Sequence, residues 1–200
     1  MKKSRLLTNI KLPLLFALTY FAAAANVSAS IVINIVESGG NVEASYSGSI
    51  DLGATTGLFF SGSGSGFSGY VPNSGAIGFT TDTSAQYTID LSSWTAFGTG
   101  GFGNWDTSSG DALDLFANPV LGVPFGYISG TSISGSATKN GSSFVSLGFT
   151  PGSYVSTFSN GSNTDSITVN IGAVPVPAAV WLFGSGLLGL VGIARRKKAA

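Results

Sequence analysis

The chain has 200 residues, and nine Lys and Arg balance nine Asp and Glu to a formal net charge of zero. It contains no His and no Cys, which excludes Ser-His-Asp and Cys-His nucleophilic sites, His-ligated metals, disulfides and a lipidated cysteine. The neutrality hides a segregated pattern: residues 30–172 hold all nine acids and a single base, Lys139, for a net −8 between two cationic ends. A segment of that sign has no basic patch with which to displace the counterions of nucleic acid or meet an anionic membrane.

At the N-terminus, Lys2, Lys3, Arg5 and Lys11 precede an apolar run from Leu12 to Ala25, broken only by Pro13 and Thr19. Val27, Ser28 and Ala29 then place small or permissive residues before a cut between Ala29 and Ser30. Residues 1–29 are predicted to be a secretory signal peptide, the alternative being a retained anchor.

Residues 30–172 read as β throughout. From Asn41 to Leu52, Val42, Ala44, Tyr46, Gly48, Ile50 and Leu52 alternate with Glu43, Ser45, Ser47, Ser49 and Asp51. That is the period of a half-buried strand. Gln86–Leu91 and Ser166–Ile171 repeat it, and shorter strands are predicted at 31–36, 57–60, 77–81, 113–116, 125–129, 143–149 and 154–158. Ser61–Tyr70 (SGSGSGFSGY) reads as a glycine-rich hairpin loop, and Pro151-Gly152 as a turn with positive φ at the glycine. No window sustains a helical period, so the prediction is an all-β antiparallel sandwich of jelly-roll type, without disulfides.

Chemistry is sparse in this domain. A Ser-Lys nucleophile would have to use Lys139, which lies in a turn-like Thr-Lys-Asn-Gly run where solvation explains it. Paired carboxylates for glycoside hydrolysis would come from Asp106, Asp111 and Asp114, with nothing to set their separation. No catalysis is expected. Asn104, Asp106, Ser109, Asp111 and Asp114 crowd oxygen ligands beside Gly103 and Gly110, a calcium candidate without the order of an EF-hand loop. The alternative is a solvated acidic loop. Trp94, Phe97, Phe102 and Trp105 could stack on sugars, although core is the commoner fate of aromatic rings. The Asn140-Gly-Ser and Asn160-Gly-Ser runs read as turns.

The C-terminus has the order of an address. Val174, Pro175, Val176, Pro177 and Ala178 lead into an uncharged stretch, Ala178–Ala194, followed by Arg195, Arg196, Lys197 and Lys198. Seventeen helical residues reach about 25 Å, the short end of what crosses a hydrocarbon core of roughly 30 Å. The prolines keep the motif extended, Trp181 suits the outer interface, and the four cations stop transfer and stay inside. A plain C-terminal membrane anchor satisfies the same physics.

Taken as motif, Trp-Leu-Phe-Gly-Ser-Gly core and basic cluster, residues 174–198 resemble the PEP-CTERM sorting signals of Gram-negative bacteria, in the VPLPA-type variant. Val176 stands where that family carries Leu or Glu, which leaves the exosortase subtype open. Residues 125–171 look like the C-terminal strand unit upstream of such anchors, which implies a structural β unit with no catalytic residue. The resemblance implies export, transient arrest in the inner membrane, and cleavage near 174–178 by an exosortase-type membrane protease. Release to the surface would follow, with exopolysaccharide as a further partner. Residues 1–29, 30–172 and 173–200 are thus read as signal peptide, exported domain and sorting signal. Two function classes remain: a structural surface or matrix protein without cofactor, and a carbohydrate- or calcium-binding module delivered by the same route.

Overall fold

The computed structural model describes residues 29–80, 83–90, 95–116 and 120–172. The predicted signal peptide up to Ser28 and the whole predicted sorting signal, 173–200, lie outside the described residues, as does Trp94. Among those described, no helix is long and apolar enough to cross a membrane.

Two sheets carry the fold, consistent with a β-sandwich. The first has six strands: β1 (Ser30–Ser38), β2 (Asn41–Gly48), β8 (Thr107–Gly110), β11 (Ile133–Lys139), β12 (Gly152–Asn160) and β13 (Asn163–Ile171), in the order β12-β13-β1-β2-β11-β8. The second runs β3-β6-β10-β9-β5-β4-β7. Its members are β3 (Gly57–Ser65), β4 (Ser68–Val71), β5 (Ala76–Phe79), β6 (Thr83–Thr88), β7 (Gly103–Asn104), β9 (Asp114–Phe116) and β10 (Val120–Pro124).

The alternation in β1, β2 and β13 does what its period dictates. Ile31, Ile33, Ile35, Val42, Ala44, Tyr46, Ile167, Val169 and Ile171 turn inward and are buried. They meet Ile77, Phe79, Leu115, Leu121 and Val123 of the second sheet in one core, with the Tyr46 and Phe79 rings 4.6 Å apart across the interface. Each fully buried Ile or Leu contributes about 1.5–3 kcal/mol relative to exposure. The β1–β2 hairpin closes through Gly39 and Gly40 at φ +59 and +81, the pair of left-handed conformations that a two-residue hairpin turn requires. Asn160-Gly161-Ser162-Asn163 closes β12 on β13, so this Asn-Gly run is the turn its sequence predicts, and Asn140-Gly141 is a turn too.

Several expectations are corrected. The sheets are not wholly antiparallel: β1 and β13 pair in parallel from Ser30↔Ser166 to Ile35↔Ile171. The whole intervening domain serves as the crossover between them. The strand predicted over Asn41–Leu52 stops at Gly48, because Asp51 caps a one-turn 3-10 helix at Leu52–Ala54 by accepting from the Gly53 N–H. Most of the predicted 61–70 loop is strand, shared between the end of β3 and β4. Residues 125–129 form turns rather than a strand.

Ser143–Phe149, also predicted as strand, contains a short helix, α1 (Phe144–Leu147). Ser143 and Ser146 form a reciprocal capping box at its start, and the Glu37 carboxylate from β1 accepts the Phe144 N–H. Gly148 closes it in the left-handed conformation. Gly152 opens β12 and does not take the positive φ predicted for a Pro-Gly turn. β13 starts three residues ahead of the predicted Ser166, so that Asp165 lies within it.

Candidate functional site

The acidic stretch 103–114 spreads over two sheets instead of closing on a point. Its first half is β7, whose two residues pair with β4, followed by a crossing to β8 on the other sheet. Asn104 is exposed at the end of β7, opposite Gly69. Asp106 sits in the crossing. Its Oδ1 accepts from Lys139 Nζ at 2.6 Å and its Oδ2 from the Asn140 N–H at 2.8 Å. The Lys139 hydrogen bond, then the Asn140 amide, hold the Asp106 carboxyl below its usual range, and the same bond raises Lys139. Lys139 is therefore half of a surface ion pair, at the end of β11 rather than in the turn that follows.

Asp111 follows β8 and caps the neighbouring strand: its Oδ2 accepts from the Ser134 N–H at 2.9 Å, while its carbonyl accepts from the Tyr46 hydroxyl. Burial first, then the charges of Asp111 and Asp114, push the Tyr46 phenol upward, so that hydroxyl stays a donor. Asp114 opens β9 on the outward face of the second sheet yet is fully buried. The segment that enters β4 covers it there, and the Phe67 N–H donates to Asp114 Oδ1 at 3.3 Å. Gly78 on β5 makes room for this crossing, because a Cβ there would lie 2.1 Å from the Phe67 carbonyl oxygen. Ser109 bonds to Ser136, 3.2 Å away on β11. Each of the three carboxylates thus serves a different local contact, and no group of three or more acidic side chains placed to hold a metal occurs among the described residues.

The aromatic run divides in the same way. Phe97 is fully buried, and its ring lies 6.0 Å from that of Phe149. Trp105 is 6% exposed, packs 4.7 Å from Tyr70 and donates its indole N–H to the Gly78 carbonyl at 3.0 Å. Phe102 alone of the described members stands out, at 66% exposure. It borders a hollow of about 270 Å³ between Gly100–Gly103 and the α1 turn.

A second polar cluster escaped sequence reasoning. Asp165 is completely buried on the inward side of β13, where its Oδ2 accepts from the Asp51 N–H at 2.7 Å and its Oδ1 from the Ser166 N–H at 2.6 Å. Asp51 Oδ1 accepts in turn from Ser129 Oγ, and the Tyr127 hydroxyl bridges Ile50 and Thr131. Loss of water outweighs the two amide bonds and raises the Asp165 carboxyl to about 6. The only local signal was an acid at an inward position of a period-2 run. The cluster ties the start of β13 to the β2 exit.

Compared with known proteins, the chain matches no family model, no curated protein and no solved structure.

Proposed function

We propose that this is an exported surface or extracellular-matrix structural protein, sorted and processed by an exosortase-type membrane protease, without catalysis of its own. The observation that carries the reading is the ordered tail: Val174–Ala178, an uncharged stretch to Ala194, then Arg195–Lys198. Support comes from the extent of the β domain. β1 begins at Ser30, directly after the small residues of the signal cleavage site, and β13 ends at Ile171, three residues before Val174. Between them lies a compact core without His or Cys, and Asp51, Asp111 and Asp165 accept from backbone N–H groups while Asp106 pairs with Lys139. The repeated crossings between the two sheets, at β2–β3, β7–β8, β8–β9 and β10–β11, favour a sandwich of jelly-roll type. The implied route is arrest in the inner membrane of a Gram-negative bacterium, cleavage, and passage to the cell surface or medium.

Mass spectrometry of the exported product tests this. A C-terminus within Val174–Ala178 is expected, with Ser30 first. In cells carrying the protease, Pro177→Ala should yield a larger, membrane-retained species, because the helix can then extend upstream through the scissile segment. Release of a product ending at Ala200 refutes the reading. A carbohydrate-binding role by the same route is favoured by one surface, described next.

A further inference from the structure

The registers of the six-stranded sheet align one row of outward side chains from edge to edge. Ser153 pairs with Asn170, Asn170 with Asn34, Asn34 with Ser45, Ser45 with Ser136, and Ser136 with Ser109. At about 4.8 Å per strand the row runs roughly 24 Å. Ser153 Oγ donates to Asn170 Oδ1 at 2.8 Å, Asn170 Nδ2 donates to Asn34 Oδ1 at 3.1 Å, and the Ser109 and Ser136 hydroxyls are 3.2 Å apart. These bonds hold the side chains in place before any ligand arrives, which lowers the ordering cost of binding.

Beside this row the surface dips into a groove of about 220 Å³ lined by Val36, Glu43, Ser45, Ser136 and Thr138. Glu43 lies between Val36 on β1 and Thr138 on β11. It is the one charged residue at the outward positions of these paired strands, and no hydrogen bond or ion pair ties its carboxylate to another described residue.

We propose that this face binds an uncharged polysaccharide laid across the strands, with one sugar unit seated in the groove. The charge pattern selects the occupant. A polyanion would meet a domain of net −8, and the face holds no cation to attract it. A protein partner would find little to bury, since the outward apolar side chains are only Val32, Val36 and Val155. A neutral polyol supplies donors and acceptors as densely as the Ser and Asn row does. The Glu43 carboxylate accepts from sugar hydroxyls through charge-assisted bonds, which are stronger than neutral ones. Val36 offers apolar contact to the ring C–H groups, and an extended chain repeats its sugar units on a length close to the strand spacing.

This deepens the carbohydrate reading and does not depend on the processing step. The test is native affinity electrophoresis of the purified full chain in gels containing hydroxyethylcellulose, dextran or galactomannan, with alginate as the polyanion. A neutral polymer should retard the chain and alginate should not. Glu43→Gln should weaken the retardation roughly tenfold. Ser136→Leu, which fills the groove, should weaken it as much, and Phe102→Ala, outside this face, should leave it unchanged. Circular dichroism identical to the parent shows that each variant is folded. The proposal is overturned if no neutral polymer retards the chain, if both groove variants bind as the parent does, or if alginate retards it more. Self-association abolished by Ser136→Leu, without retardation, would make a second copy the occupant and overturn it too. A retarded but unprocessed chain refutes only the export reading, and a processed but unretarded chain refutes only this one.

Discussion

Burial of Asp165 makes stability depend on pH in the direction opposite to most carboxylates. Its pKa is about 6 in the folded protein against 3.8 for an ordinary side chain. The folded state therefore binds the proton more tightly than the unfolded chain. The stabilisation is complete below the unfolded value and is lost as pH rises through the folded one. At 1.36 kcal/mol per pKa unit the limit is about 3 kcal/mol, of which about 2 kcal/mol separates pH 4.5 from pH 7.5. Urea unfolding of residues 30–172, followed by tryptophan fluorescence, would read this as a midpoint higher by about 1 M urea at the lower pH. Asp165→Asn removes the titration, and the group's share of the pH dependence should vanish with it. The reasoning fails if the parent is equally stable at both pH values, if it gains stability on going to the higher one, or if Asp165→Asn keeps the parent's slope.

Three further outcomes follow from the geometry. Gly48→Ala should destabilise the domain by about 2–4 kcal/mol in thermal melts, since residue 48 has φ +141 and a Cβ there would lie 1.9 Å from the Ser30 carbonyl oxygen. Trp105→Phe should cost about 1–3 kcal/mol, because it strips the Gly78 carbonyl of its indole partner within the core, and denaturant titration measures it. Calcium at millimolar concentration should leave the melting temperature unchanged, because Asp106, Asp111 and Asp114 each serve separate local bonds; a rise with calcium would show that they can converge on an ion.

Much of the β character was legible residue by residue. Val42–Tyr46 and Ile167–Ile171 alternate so regularly that burial of one face follows from strand geometry alone, and the structure buries them. The Ser143–Phe149 run misled because it mixes polar and apolar residues over too few positions to separate a strand from one helical turn. Its deciding contact, the Glu37 carboxylate on the Phe144 N–H, comes from a strand 107 residues away in sequence. Trp105 and Phe97 were equally ambiguous, since an aromatic ring near glycines fits core or surface until its neighbours are known.

By itself, then, the sequence determined the charge segregation, the absence of His and Cys chemistry, the expected addresses at both ends, and the inward face of the regular strands. These depend on residue identity and on a local period of two. Only the tertiary structure decided which strands are neighbours: the parallel β1–β13 pair, the burial of Asp165 and Asp114, and the alignment of Ser153, Asn170, Asn34, Ser45, Ser136 and Ser109 into one row. The physical reason is that alternation assigns each side chain to a face but says nothing about its partner across the sheet. Register and neighbour are set by loop closure and by the packing of the two sheets together, and both act between residues far apart in the chain.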